Sequence, residues 1–178
     1  MYLGRRRFLV GTLGAAVSLT GAARAAAAVV APAHRLRFYH IHTAEKLDIT
    51  YRENGELVPG ALDEINRYLR DFRTNQIHEI DVDLLDKLHT LFTTFDGRGN
   101  FEVISGYRSP RTNAALRHVT TGVAENSLHI QGRAIDVRLT SAKTTALRDA
   151  AIALKNGGVG YYSESNFVHL DTGSFRTW

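Results

Sequence analysis

Cysteine is absent from this 178-residue chain. That removes disulfide frameworks, thiolate zinc sites, iron–sulfur clusters and thiol nucleophiles, so any metal must be held by His, Asp or Glu. A basic surface is missing too, once the charge is located. The formal net charge is +4, but Arg5, Arg6, Arg7 and Arg24 fall in the first 25 residues, which contain no acid. The other 18 basic residues balance 18 acidic ones. A neutral domain argues against nucleic acid as a partner, since that affinity rests on basic surface. Three prolines make no proline-rich linker, and no internal repeat divides the chain. The length suits one domain at the usual ~100–200 residues. A domain of ~150 residues hides roughly 70% of its extended-chain surface, enough for a core without staples.

The N-terminus reads as an address. Arg5-Arg6-Arg7-Phe8-Leu9 has the twin-arginine pattern, followed by a weakly apolar run from Val10 to Ala23. Ala23-Arg24-Ala25 offers an A-x-A cleavage site. The alternative is a membrane anchor, but the run falls short of the ~20 apolar residues that span a bilayer. These features predict a signal peptide over 1–25, engagement of the twin-arginine export machinery, and a periplasmic or cell-envelope destination without stable membrane insertion after cleavage. Residues 26–35 read as a flexible lead-in and 36–178 as the domain.

Alternating apolar residues predict strands over Leu36–His42 and Leu47–Arg52, joined as a hairpin, with a turn at Glu53–Glu56. Helical spacing predicts helices over Ala61–Phe72 and Val82–Phe95, the second closed by Asp96-Gly97. A strand over Phe101–Ser105, a short helix over Arg111–His118 and a polar loop to Ser127 follow. Ala134–Leu139 reads as a strand. Ser141 caps an expected helix running to about Asn156, closed by Gly157-Gly158. Val159–Tyr162 and Asn166–Asp171 close the pattern as strands. The order predicts an α+β domain with a small central antiparallel sheet flanked by helices.

Three stretches concentrate chemistry: Ser105–Ser109 (S-G-Y-R-S), Ser127–Asp136 (S-L-H-I-Q-G-R-A-I-D) and Asn166–Asp171 (N-F-V-H-L-D). A catalytic zinc wants three His or carboxylate ligands and one open position. His129 in a loop, Asp136 on the following strand and His169 on a strand that can pair with it are able to converge on one ion. The blander reading makes the histidines structural and pairs Asp136 with Arg133 or Arg138. Asp171 shares a strand face with His169, because the side-chain period is two.

Together these stretches resemble the lysostaphin, D-Ala-D-Ala carboxypeptidase and hedgehog group of metallopeptidases. Leu36–Trp178 more closely resembles the murein endopeptidase MepK (YcbK) family. H-T-x-E-x-L at His42–Leu47, S-G-Y-R-S, G-G-V-G-Y-Y at Gly157–Tyr162, F-V-H-x-D-T-G at Phe167–Gly173 and Trp178 carry that likeness. The resemblance implies one Zn2+ on His129, Asp136 and His169, and Arg108 as oxyanion or carboxylate partner. It implies hydrolysis of peptide cross-links in peptidoglycan stem peptides. Many members of the wider group place an acid three residues before the last His; here Asn166 stands there. Asp171 is the first candidate for the general base, with the alternative that it orients a ligand histidine; Glu164 ranks behind it.

Tyr107 and Ser127 are candidate substrate-binding residues, and Tyr161 and Tyr162 are further aromatics able to line a groove. His40 and His42 form an H-x-H read as structural, with a second metal site as the alternative. Ser109 and Ser127 lack the G-x-S-x-G elbow of a serine hydrolase. Two rival functions are also compatible with the sequence: a D,D-carboxypeptidase, and a non-catalytic zinc-bearing cell-wall binding module.

Overall fold

The computed structural model describes residues 31–119 and 123–178. The expected signal peptide, 1–25, lies outside the described residues, as does most of the expected lead-in. That lead-in ends earlier than the sequence suggests, because His34 and Arg35 already belong to a strand. Among the described residues, no helix is long and apolar enough to cross a membrane.

The strands are β1 (His34–His40), β2 (Lys46–Glu53), β3 (Glu56–Leu57), β4 (Phe101–Ser105), β5 (Ala134–Leu139), β6 (Gly158–Tyr162), β7 (Phe167–Asp171) and β8 (Arg176–Thr177). The helices are α1 (Pro59–Tyr68), α2 (Val82–Thr94), α3 (Pro110–Val119) and α4 (Thr144–Ala153). The strands form one mixed sheet in the order β3-β2-β1-β4-β5-β7-β6-β8. The α+β class is as expected, but two strand pairs, β1 with β4 and β6 with β8, are parallel. A parallel pair needs a long return connection, and α1 and α2 supply it between β1 and β4.

Local chemistry moved several element ends. α1 starts on a proline, whose missing N–H costs nothing in the first turn. It stops at Tyr68 instead of Phe72. Just beyond it, the Leu69 carbonyl accepts from the Tyr107 N–H (2.8 Å), and Phe72 leaves the helix to stack on His42. Asp81 caps α2 by accepting from the Asp83 N–H. Ser141 does not cap α4; its hydroxyl donates to the Arg98 carbonyl, and the helix begins at Thr144.

One core ties the elements together. Leu84, Leu85, Leu88 and Leu91 of α2 are fully buried with Leu36, Ile135, Val137, Val168 and Leu170 from the strands. Alternation then turns Asp136 and His169 to the opposite face of the same central strands. The site is therefore built on the rigid middle of the sheet, with its back against the core.

Candidate metal centre

β5 and β7 pair antiparallel with Asp136 directly opposite His169. β4 extends that row, since Ser105 pairs with Asp136. The ladder is irregular between Val103 and Ser105, where two steps on β4 match one on β5. This bulge re-aims Ser105 toward the site while Val103 stays in the core.

His129 arrives from a 3₁₀ turn, Leu128–Gln131, placed just before β5. Ser127 caps that turn by accepting from the His129 N–H (3.4 Å), and Gly132 ends it in the left-handed region at φ 67°. A side chain at Gly132 would collide with the Glu79 carbonyl oxygen, so glycine is required there on two counts.

The three side chains meet as metal ligands do. His169 Nδ1 lies 2.9 Å from Asp136 Oδ1 and 3.2 Å from His129 Nε2. His129 Nε2 is 3.3 Å from the same Asp136 oxygen. Their candidate ligand atoms all lie within 4.8 Å of one another, and all three residues are buried. The far nitrogens settle the tautomers. His129 Nδ1 faces the Gly106 carbonyl at 2.8 Å and must donate to it. His169 Nε2 faces Asp171 Oδ2 at 3.0 Å and donates to that carboxylate. Two bare nitrogens and a carboxylate oxygen are thus left facing one another in a buried space. That is unfavourable unless a proton or a metal cation sits between them, and the donor set of two imidazoles and a carboxylate fits a metal ion.

The electrostatics describe a cluster that attracts positive charge, taken up as a proton on His169 where no cation is bound. Burial opposes ionisation of Asp136, but the charges and hydrogen bonds of His129 and His169 outweigh it and hold its pKa far below the ordinary carboxylate range. Burial pushes His129 down. His169 is pulled down by burial too, yet its hydrogen bonds with Asp136 and Asp171 raise it above an ordinary imidazole.

Arg108 stands at the end of β4 with Nη2 3.4 Å from Asp136 Oδ2 and 3.3 Å from Ser105 Oγ. Its Nε is buried without a protein partner. Asp71, which the sequence reading missed, holds the loop just after it: Oδ2 accepts from the Ser109 N–H (2.9 Å) and Oδ1 from the Arg73 N–H (3.0 Å). Burial works against this carboxylate, but hydrogen bonds from Ser109 and Thr112 lower its pKa to about 2.

Asp171 is fully buried. Oδ1 accepts from the Gly158 and Gly173 N–H groups and from Arg176; Oδ2 accepts from Arg176 and His169. Behind it, the buried Lys87 ammonium donates to the Asp171 and Gly158 carbonyls. Arg133 and Arg138 do not pair with Asp136; they bridge to Asp81 and Glu102.

A cleft of about 350 Å³ opens over the cluster, lined by Arg108, Ser127, His129, Asp136, His169 and Trp178 among others. Tyr162 and Phe167 line it as well, and Trp178 is half exposed at its edge. Tyr107 is not brought to the cleft; its ring stacks on His78. Asn166 and Glu164 are exposed and outside the lining, Asn166 in a turn at φ 52°. A larger hollow of about 760 Å³ lies elsewhere, beside His78 and Asp81, and includes none of the three cluster residues. His40 and His42 join no metal cluster among the described residues.

An α+β sheet carrying a buried His-Asp-His cluster under a cleft, with an arginine beside it, defines a metal-dependent hydrolase site. Residues 28–178 match the family described as "Peptidoglycan L,D-endopeptidase MepK", and the chain belongs to that family. A Haemophilus influenzae protein named "Probable peptidoglycan L,D-endopeptidase MepK" is 43% identical over 144 residues, covering 80% of this chain and 77% of that protein. The "Peptidoglycan L,D-endopeptidase MepK" of Escherichia coli K12 is 38% identical over 143 residues, covering 80% of this chain and 79% of that one. The chain is thus a peptidoglycan endopeptidase of this family, an enzyme with a buried His-Asp-His cluster that could hold a metal ion.

Proposed function

We propose that the chain is a zinc enzyme that hydrolyses peptide cross-links between peptidoglycan stem peptides, at the L,D bond named for its relatives. The observation that carries this is the convergence of His129 Nε2, Asp136 Oδ1 and His169 Nδ1, each fixed by a partner on its far side. Two histidines and one carboxylate suit zinc, and His129, Asp136 and His169 would hold it at the floor of the cleft. When bound, the ion acidifies a coordinated water and polarises the scissile carbonyl.

The chain's own residues do the rest. The Gly106 carbonyl and Asp171 hold the two imidazoles in the tautomers that bare their ligand nitrogens. Arg108, anchored through Nη2, lines the cleft and serves as a donor to the oxyanion that develops at the carbonyl. Asp171 serves to orient His169 rather than to accept the water's proton, since five donors already occupy its two oxygens. Ser127 and the aromatic edge of Tyr162, Phe167 and Trp178 line the path of the peptide. Tyr107 supports the loop that carries Arg108 and reaches substrate only through it.

A surface cleft edged by exposed aromatics admits a cross-linked strand, which favours the endopeptidase over a closed pocket that trims a terminal residue. Peptidoglycan lies in the cell envelope, and the twin-arginine pattern at Arg5–Leu9 supports export to the periplasm. The test is a digest of purified cross-linked muropeptides by the zinc-loaded protein, with a chelated control, read by mass spectrometry. Chelator-sensitive conversion of dimers to monomers is expected. Loss of only a terminal alanine would make it a carboxypeptidase, and no product from folded, zinc-bound protein would make it a binding module.

A further inference from the structure

Three glycines near β6 are unexplained by the metal ligands themselves. Gly157 lies in the left-handed region at φ 80°, where a side chain would strike the Asp171 carbonyl. Gly158 and Gly160 share one face of β6, two residues apart. A Cβ on Gly158 would meet Arg176 Nη1 at 2.7 Å and would crowd Asp171 Oδ2. A Cβ on Gly160 would meet the Trp178 indole at 2.5 Å. Both glycines therefore clear room for residues at the far end of the chain.

Those residues press on the metal site. β8 runs parallel to β6, with Gly158 opposite Arg176. The Arg176 guanidinium grips Asp171 with both terminal nitrogens, Nη2 to Oδ2 at 2.7 Å and Nη1 to Oδ1 at 3.2 Å. Asp171 Oδ2 in turn holds His169 Nε2. Gly160 is opposite His169 in the ladder, so the indole over Gly160 lies beside the imidazole, with ring centroids 5.3 Å apart. Backbone bonds pin the indole's residue: the Trp178 N–H donates to the Val159 carbonyl, and the Tyr161 N–H donates to the Trp178 carbonyl. Trp178 Nε1 also donates to the Tyr162 hydroxyl at 3.1 Å.

We propose that Arg176 and Trp178, delivered by β8, are positioning residues that lock the His169–Asp171 pair and so set the affinity of the metal centre. Arg176 fixes the carboxylate that fixes the imidazole, and Trp178 packs its indole beside that imidazole. The charge of Arg176 alone acts against a cation, so any benefit to the metal must come through geometry. Outer partners of a metal-bound histidine typically contribute 10–100-fold in metal affinity.

This rests on His169 being a metal ligand, and the experiment separates the two claims. Zinc affinity is measured on the whole protein by competition with a chromophoric chelator, with the apo fold of each variant checked by circular dichroism. His169→Ala must lose zinc; if it does not, the ligand reading fails before the positioning claim is reached. Arg176→Gln and Arg176→Lys are both expected to weaken zinc binding by about 10–100-fold, the lysine less, because it keeps one contact to Asp171. Gly160→Ala, which displaces the indole without touching a charge, is expected to weaken it by roughly tenfold. Unchanged affinity in folded Arg176→Lys and Gly160→Ala would overturn the proposal. Tighter binding in Arg176→Gln would also overturn it, by making charge repulsion the whole of the arginine's effect. If Arg176→Gln does not fold, Arg176→Lys and Gly160→Ala decide.

Discussion

Asp136 and His169 face each other across β5 and β7 with His169 Nδ1 2.9 Å from Asp136 Oδ1. Cross-strand placement means that neither side chain depends on a loop for its position. His129, the third proposed ligand, does depend on one, and its turn is clamped at both ends by Ser127 and Gly132. Removing any one of the three leaves two ligands, too few for a tight zinc site. His129→Ala, Asp136→Ala and His169→Ala should each emerge from dialysis nearly zinc-free, while the wild type keeps about one ion per chain. Metal analysis checks this, and near-stoichiometric zinc in any of the three would remove that residue from the ligand set.

Arg108 donates to the Asp136 carboxylate and stands outside the proposed ligand set. Arg108→Ala should therefore retain zinc and lose turnover by about 10²–10³-fold, the usual effect of deleting one oxyanion donor. Arg108→Lys should recover little, because an ammonium cannot hold Ser105 and Asp136 with one nitrogen while offering another to substrate. Steady-state kinetics at saturating zinc is the measurement, and zinc loss in Arg108→Ala would mean a structural role.

Asp171→Asn separates orientation from proton transfer. An orienting carboxylate, once lost, should weaken zinc binding by about 10–100-fold. Turnover should then return to within roughly tenfold of wild type when zinc is saturating. A general base would leave turnover down by about 10²–10⁴-fold however much zinc is added. Rate against zinc concentration for the two proteins distinguishes the cases.

Much of this fold is legible in the sequence where apolar patterning is strong. β4 and β5 fall at the expected residues because Phe101–Ser105 is a short apolar run and Ala134–Leu139 alternates. Elements ended by a distant contact are not legible. α1 stops at Tyr68 because the Leu69 carbonyl is taken by Tyr107, far along the chain. The parallel pairing of β1 with β4 depends on how α1 and α2 return the chain, which local pattern does not encode. In the site, His129, Asp136 and His169 stand in short motifs and could be named from spacing and resemblance. Their far-side partners could be named only in part. Asp171 shares a strand face with His169, whereas the Gly106 carbonyl that accepts from His129 Nδ1 and Asp71 as an anchor for Ser109 carry no sequence signal. The bulge that turns Ser105 toward Asp136 is equally silent, since Val103 and Ser105 read as one face of a regular strand.

His40 gives the domain a sensitivity to mild acid that is independent of the metal cluster. Its side chain is buried against Tyr68 and Phe72, and its Nε2 has no partner. Burial, helped by the nearby charges of His42, Arg70 and Arg73 and opposed by Glu45, lowers its pKa to about 4. The unfolded chain returns the group to about 6.5. Because the folded pKa is the lower one, the unfolded state binds more protons between those values. The contribution is fully present above pH 6.5 and is lost as pH falls toward 4. Between pH 8 and pH 5 the loss comes to about 2 kcal/mol. His40→Leu should remove that portion of the pH dependence, while costing about 1 kcal/mol at both pH values because the His42 N–H loses its acceptor, His40 Nδ1. Urea unfolding of both proteins with chelator present, at pH 8 and pH 5, isolates the difference from ligand protonation. Equal losses in the two proteins would place the acid sensitivity elsewhere in the domain.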